Sequence, residues 1–226
     1  IECIVNTYLF MISSIHMKKG RQYIPKKFAK VDKSFINKLR SEEEHGALTS
    51  FSIFPKKVTF YGKDPEEDIV LIVRTHWIAF VPHIFFVLLI LALPLILLAL
   101  SSQVSFLGTT TLYIGMLVVC LILALNVVIT TILKWYYTVN IITDQRIVVI
   151  KMDNAFYHSY AEAQLEKIED VTHTNIGVLG TLFDVGDVHI DTAGHGVDFH
   201  LRMLPRPREL QDVINDLLEM KQKGDI

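Results

Sequence analysis

Residues 78–133 read IAFVPHIFFVLLILALPLILLALSSQVSFLGTTTLYIGMLVVCLILALNVVITTIL, and this stretch is the most informative part of the sequence. It contains no Lys, Arg, Asp or Glu, although charged residues make up 20% of the whole chain. A soluble protein needs charge on its surface, so a chain of this size could not hide so long an apolar stretch in water. A lipid bilayer accepts it, and the stretch therefore predicts membrane-spanning helices.

Two spans fit inside this stretch, at residues 78–100 and 111–133. At about 1.5 Å per residue, each is long enough to cross about 30 Å of hydrocarbon. The turn between them lacks Lys and Arg, whereas Arg74 precedes the first span and Lys134 ends the second. Because positive charge stays on the cytoplasmic side, we predict a multi-pass protein of the plasma (inner) membrane with both termini cytoplasmic.

Aromatic residues flank the spans at the same predicted interface. Trp77 precedes the first span, and Trp135 and Tyr136 follow the second. Amphipathic rings prefer the boundary between lipid and water, so these three residues are predicted interface anchors.

Asn126 is the clearest polar residue within the spans. An unpaired amide in hydrocarbon is costly, so we predict that Asn126 bonds to the neighbouring helix or to a second copy of the chain. A homo-oligomer or a complex with another membrane protein is therefore expected. A substrate or ion site is the alternative, but one Asn does not make a pathway.

After Lys134 the apolar pattern changes from continuous to alternating, which predicts strands. Val188 and Ile190 share one strand face, and the other face carries Asp187, His189 and Asp191. The end of the chain changes to a helical period, with an apolar stripe after Pro207 formed by Leu210, Val213, Ile214, Leu217 and Leu218. We therefore expect several antiparallel strands closed by a C-terminal helix.

Residues 135–218 resemble the bacterial pleckstrin-homology-like (PH-like) domain of membrane-flanked proteins. The matching pieces are Tyr137-Thr138-Val139, Ile142-Thr143-Asp144-Gln145-Arg146-Ile147, Ile168-Glu169-Asp170-Val171, the segment from Asn175 to Phe183, Gly186-Asp187-Val188-His189-Ile190 and Thr192-Ala193-Gly194. The resemblance implies a membrane α-hairpin followed by an α+β soluble domain, a PH-like antiparallel β-barrel or sandwich capped by a C-terminal helix. It implies no enzyme activity. The turn at Thr143-Asp144-Gln145-Arg146 has one base and one acid, so inositol-lipid binding is not carried over.

The domain boundaries follow from these patterns. Residues 1–16 are interpreted as a spurious extension upstream of a start at Met17, with a signal peptide as the alternative. Residues 17–65 form a basic, flexible cytoplasmic region, and residues 66–77 are a juxtamembrane lead-in. The hairpin occupies residues 78–133, and the PH-like cytoplasmic domain occupies residues 134–221.

A basic segment, residues 17–40, lies within the predicted N-terminal region and contains nine basic residues and one acid, Asp32. We predict that it adheres to anionic lipid headgroups. A solvated tail that only fixes topology is the alternative, and nucleic acid is not expected because the tail is tethered at the membrane. The nine residues are Lys18, Lys19, Arg21, Lys26, Lys27, Lys30, Lys33, Lys38 and Arg40.

No catalytic, cofactor or metal site is predicted. Carboxylate and imidazole groups at Asp187, His189, Asp191, His195 and His200 are metal-ligand types, but an exposed strand face needs the same residues for solubility. The sequence contains neither a Gly-x-Ser-x-Gly run nor a Gly-rich phosphate loop.

The predicted function is a non-enzymatic, membrane-anchored binding or assembly module at the cytoplasmic face. An accessory subunit of a larger membrane complex is the first alternative. A membrane-embedded enzyme or transporter is the second, and it would need clustered ionisable groups within the spans, which residues 78–133 lack.

Overall fold

The computed structural model describes Phe28 and residues 51–55, 58, 60, 62–100, 110–154, 157–194 and 198–224. Within these ranges the chain forms two long apolar helices, eight strands in two sheets, and two further helices.

The apolar stretch forms a helical hairpin. A 3-10 turn at Trp77–Phe80 leads into α1 (Val81–Leu100), and α2 spans Thr110–Tyr137. By length and composition, Trp77–Ala99 and Leu112–Tyr137 could each cross a membrane. Only 6% and 11% of their most apolar stretches are buried by protein, so neither is a core helix of a soluble domain.

Small side chains line the contact between the two helices. Cys120 and Ala124 of α2 are buried, as is Pro94 within α1. The hydroxyl of Tyr113 donates to the carbonyl of Leu97 at 3.1 Å, which joins the helices near the turn. The outward faces of both helices are almost wholly apolar and exposed.

Five antiparallel strands form the first sheet in the order β1 (Phe51–Ile53), β2 (Ile69–Val73), β3 (Val139–Thr143), β4 (Arg146–Asn154) and β5 (Tyr157–Gln164). Strands β2 and β3 are neighbours in this sheet, and the whole helical hairpin lies between them in the chain. The hairpin thus replaces the short turn that normally joins two paired strands.

The segment predicted as a juxtamembrane lead-in contains a central strand. Every residue of β2 is buried, and Val73 lies opposite Asn140 of β3. The sheet therefore draws strands from both sides of the apolar hairpin. Sequence patterning placed the soluble domain only after Lys134 because a five-residue apolar run shows no alternation when both of its faces are covered.

The second sheet follows a 3-10 turn at Leu165–Lys167. Its strands are β6 (Ile168–Asn175), β7 (Val185–Thr192) and β8 (Phe199–Pro205), with the short helix α3 (Gly177–Phe183) between β6 and β7. In β7, Val188 and Ile190 are buried while Asp187, His189 and Asp191 are not, which confirms the predicted alternation.

Helix α4 (Pro207–Lys223) covers this core. Its buried residues include Leu210, Val213, Ile214 and Leu217, and Leu218 packs against the same cluster. The predicted C-terminal helix and its apolar stripe are confirmed. Residues of both sheets and of α4 belong to one hydrophobic cluster.

The expected barrel is not closed among the described strands. The first sheet ends at β5 and the second begins at β6, with no ladder between them. The 3-10 turn at Leu165–Lys167 interrupts the chain between these strands, and β1 is only three residues long. The domain therefore has two antiparallel sheets and a C-terminal helix.

Candidate functional site

The junction between the hairpin and the first sheet holds the predicted aromatic anchors. The indole nitrogen of Trp135 donates to the carbonyl of Thr75 at 2.7 Å, and its ring lies 5.5 Å from that of Phe80. Trp77 is 41% exposed, and Tyr136 packs edge-on against Tyr137. All of these rings lie at the sheet end of the hairpin, so the end of α2 is bonded to the start of α1 at that level.

The second sheet also touches the start of the hairpin. The backbone N–H of His76 donates to the carbonyl of Met203 in β8 at 2.7 Å. The ring nitrogen Nδ1 of His76 accepts from the N–H of Ile78 at 3.3 Å and caps the 3-10 turn. The hairpin is consequently joined to both sheets without a flexible linker.

Asn126 lies on the exposed side of α2, whereas Cys120 and Ala124 lie on the buried side. In this single chain its side chain does not face α1. The predicted hydrogen bond of Asn126, to the neighbouring helix or to a second copy of the chain, stays a prediction.

A polar cluster lies at the end of the first sheet away from the hairpin, and we call it the distal cluster: Glu67, Thr143, Arg146 and Glu162. Arg146 binds the Glu67 carboxylate with two bonds, Nε to Oε1 at 3.0 Å and Nη2 to Oε2 at 2.8 Å. Its Nη1 donates to Oε2 of Glu162 at 3.0 Å, and the Thr143 hydroxyl donates to Oε1 of Glu67 at 2.7 Å. The Glu67 side chain is wholly buried.

The electrostatics of the distal cluster favour its ionised form. Burial alone would raise the pKa of Glu67, but hydrogen bonds from Arg146 and Thr143 outweigh burial and lower it. The same Glu67 hydrogen bond raises the pKa of Arg146. Burial, helped by a hydrogen bond to Glu162, raises the pKa of Tyr160 to about 12. The ion pair of Glu67 with Arg146, which we call the clamp, therefore joins the segment just before β2 to the start of β4.

A surface pocket of about 450 Å³ opens beside the distal cluster. Its charged lining is balanced, with three acids (Asp64, Glu162, Glu166) and three bases (Arg146, Lys167, Lys221). Ion pairs already join Arg146 to Glu162 and Lys221 to Glu166. The pocket therefore selects neither anions nor cations by net charge.

Two of the candidate metal ligands lie in contact, but no third candidate ligand joins them among the described residues. His189 and His200 lie opposite each other on β7 and β8 with ring centroids 3.4 Å apart, and Asp187 accepts from the N–H of Met203 at 2.8 Å. Burial and the neighbouring His189 lower the pKa of His200. Across the described ranges, no three His, Cys, Asp or Glu side chains group as a metal site would need, and His195 lies outside those ranges.

The nine basic residues of the predicted membrane-surface segment, Lys18 to Arg40, lie outside the described residues. The sequence also gave no warning of the distal cluster. Glu67 and Arg146 are 79 positions apart, and each alone reads as an ordinary surface charge. The only signal was the position of Glu67, two residues before an uncharged strand that is buried on both faces.

A family model described as "Bacterial PH domain" matches residues 69–218. The match begins at the first residue of β2, continues through the helical hairpin and ends within α4. No curated protein and no solved structure matches the chain significantly.

Proposed function

The chain belongs to the bacterial PH domain family, and from this membership we propose that it is a membrane-anchored, non-enzymatic PH-like module that binds or assembles with a partner at the cytoplasmic face of the plasma (inner) membrane. PH-like domains generally serve as binding modules. The observation that carries the proposal is the insertion of the apolar hairpin between the paired strands β2 and β3.

Strand pairing supports a hairpin whose two ends lie on one side of a membrane. Ile72 pairs with Ile141 and Val73 with Asn140. The first residue of each pair lies shortly before the 3-10 turn that leads into α1, and the second lies shortly after α2. Ladder hydrogen bonds cannot form across a bilayer, so both flanks must lie on the side that holds the sheet. The strand pairing places the two flanks on one side independently of the Lys and Arg distribution, and that distribution assigns this side to the cytoplasm.

Cysteine labelling in whole cells tests the topology. In a chain with Cys3→Ser and Cys120→Ala, we expect a membrane-impermeant thiol reagent to label Ser102→Cys between the spans. We expect no labelling of Gly224→Cys, at the residue that caps the C-terminus of α4, until the membrane is permeabilised. The reverse pattern would refute the cytoplasmic assignment, and equal labelling of both sites in intact cells would refute the hairpin.

A role as an accessory subunit of a larger membrane complex is the second candidate. The exposed position of Asn126 on α2 favours it as much as it favours a homo-oligomer, because either partner could pair the amide. An enzyme or transporter within the membrane has less support, since residues 78–133 contain no ionisable Asp, Glu, Lys or Arg.

Replacement of Asn126 separates these candidates. We expect Asn126→Leu to weaken association between chains by roughly 0.5–2 kcal/mol, because leucine gives lipid-compatible bulk without a hydrogen bond. The measurement is the monomer–oligomer equilibrium of the purified chain in detergent. Leu125→Ile on the same exposed face is the matched control. An unchanged equilibrium for Asn126→Leu would leave a different protein as the partner.

Adhesion of the basic segment to anionic lipid is the other part of the proposal. Each base near a negatively charged surface contributes about 1 kcal/mol, and residues 17–40 have a net charge of +8. By contrast, residues 134–226 carry 9 basic and 15 acidic residues. Headgroup binding is therefore assigned to the N-terminal segment, and a peptide of residues 17–40 that bound neutral vesicles as well as anionic ones would contradict the assignment.

A further inference from the structure

Helix α3 presents apolar side chains to solvent on the second sheet. Leu182 is 74% exposed, Phe183 is 45% exposed, and Ile176, which caps the helix, is 36% exposed. Residues 175–183 contain no charged residue. Single exposed apolar residues are ordinary, but several on one short uncharged element indicate an interaction site.

The opposite side of α3 is packed tightly against the sheet. A Cβ atom on Gly180 would lie 2.5 Å from the carbonyl oxygen of Val185, so only glycine fits at this contact. The N–H of Arg206 donates to the carbonyl of Asp184 at 2.8 Å, just after the helix. These contacts hold α3 in place, with Leu182 and Phe183 directed away from the sheet.

The exposed side of α3 adjoins the start of the apolar hairpin. The ring of Phe183 meets that of Trp77 edge-on, with centroids 5.9 Å apart. Trp77 begins the 3-10 turn that leads directly into α1. We call these four exposed apolar residues, Trp77, Ile176, Leu182 and Phe183, the α3 patch; the contact of Phe183 with Trp77 joins it to the first turn of the hairpin.

We propose that the α3 patch inserts into the interfacial layer of the bilayer that the hairpin spans, and this inference rests on the membrane anchoring proposed above. A bilayer is the occupant that fits the location, because a tryptophan at the end of a spanning helix lies at the lipid–water boundary. An uncharged element with exposed leucine and phenylalanine beside it can bury these side chains among headgroups and upper acyl chains without desolvating a charge.

Docking of α3 would give the domain a contact with the membrane beyond the two ends of the hairpin. It would limit the tilt of the domain and direct the distal cluster and its pocket away from the lipid. The contact is apolar, so it differs from the electrostatic adhesion predicted for the basic segment, and it should persist in neutral lipid and at high salt.

Fluorescence quenching in nanodiscs tests the inference with the full chain. In the Cys3→Ser, Cys120→Ala background, an environment-sensitive fluorophore is placed at Thr181→Cys, which leaves Leu182 and Phe183 intact. Matched labels at Leu123→Cys in α2 and at Gln222→Cys near the end of α4 report the spanning segment and the distal side. The discs contain phosphatidylcholine alone or with a nitroxide near the headgroup or in the acyl chain.

We expect the headgroup nitroxide to quench the label at position 181 and to leave the label at 222 unaffected, while the acyl-chain nitroxide quenches the label at 123. Leu182→Glu should lower quenching at 181 to the level seen at 222. Gln222→Glu, which adds the same charge at an exposed distal site, should leave quenching at 181 unchanged.

Other outcomes overturn the inference in distinguishable ways. Quenching at 123 with none at 181 would refute α3 docking while the anchoring stands. No quenching at 123 would refute the membrane anchoring and, with it, the docking. The label at 181 could instead show a blue-shifted emission without quenching. If this blue shift disappeared in discs that hold one chain, a second copy and not lipid would cover the patch.

Discussion

A fragment that begins at Trp135 will fail to fold, whereas a chain in which residues 75–138 are replaced by Asn-Gly will fold as a soluble domain. The fragment lacks β1 and β2, although β2 is a central strand with every residue buried. Burial of one Val, Leu or Ile side chain contributes about 1.5–3 kcal/mol. The five residues of β2 thus account for roughly 7–15 kcal/mol, which is as large as the net stability of a typical domain.

The register between β2 and β3 determines which residues the Asn-Gly turn must join. Val73 lies opposite Asn140, so the next pair outward is Arg74 with Val139, and a two-residue Asn-Gly turn joins such a pair in antiparallel strands. Circular dichroism should show one cooperative thermal transition for this chain and none for the fragment.

A one-residue deletion provides the matched control. Joining Arg74 to Asn140 through the same Asn-Gly turn removes Val139 and shifts the register, which turns the side chains of one strand to the wrong face. This variant should lose the cooperative transition. If the fragment from Trp135 unfolded as cooperatively as the replaced chain, β2 would not be an essential strand of the domain.

Loss of the ion pair between Glu67 and Arg146 is expected to destabilise the domain more than any other single charge change. Arg146→Met leaves the wholly buried Glu67 carboxylate without its two guanidinium bonds. Breaking a buried pair in this way costs about 3–5 kcal/mol, which corresponds to a fall in Tm of about 10–20 °C for a domain of this size.

Glu162→Gln is the control, because Glu162 binds the same guanidinium but its side chain is 46% exposed. This substitution should lower the free energy of unfolding by at most about 1 kcal/mol. Thermal unfolding of the full chain in detergent, or of the hairpin-replaced chain in water, measures both variants. Equal effects of Arg146→Met and Glu162→Gln would contradict the assignment of the clamp to Glu67.

The lowered pKa of Glu67 also determines the direction in which the stability of the domain changes with pH. Its carboxylate is stabilised in the folded state, so its contribution is complete above the ordinary glutamate pKa of about 4.3. That contribution is lost as the pH falls through the lower pKa of the folded state. In Glu67→Gln, this loss of stability at acid pH should be absent when the free energy of unfolding is measured as a function of pH.

The amino-acid sequence alone determined the apolar hairpin and the C-terminal helix. Both are local patterns: hydropathy is read along consecutive residues, and the stripe from Leu210 to Leu217 repeats within a few turns. The alternation in β7 was readable for the same reason, since one face is buried and the other is wet.

The burial of strand β3 could not be predicted from alternating hydropathy. The general change to an alternating pattern after Lys134 suggests one buried and one exposed face, yet all five residues of β3 are buried. One face of the first sheet packs in the main core, and the other face has its own apolar cluster with Val58 and Phe60. A strand covered on both sides carries no period that sequence could reveal.

The contacts between distant segments could be read only from the folded domain. The pairing of β2 with β3 across the hairpin, the Glu67–Arg146 clamp and the ring contact of Trp77 with Phe183 all join residues far apart in the chain. Ladder hydrogen bonds use backbone groups that every residue except proline possesses, and a single charge does not specify its partner. These contacts are chosen by the packing of the whole domain, because each becomes favourable only when the elements that carry it are already held side by side.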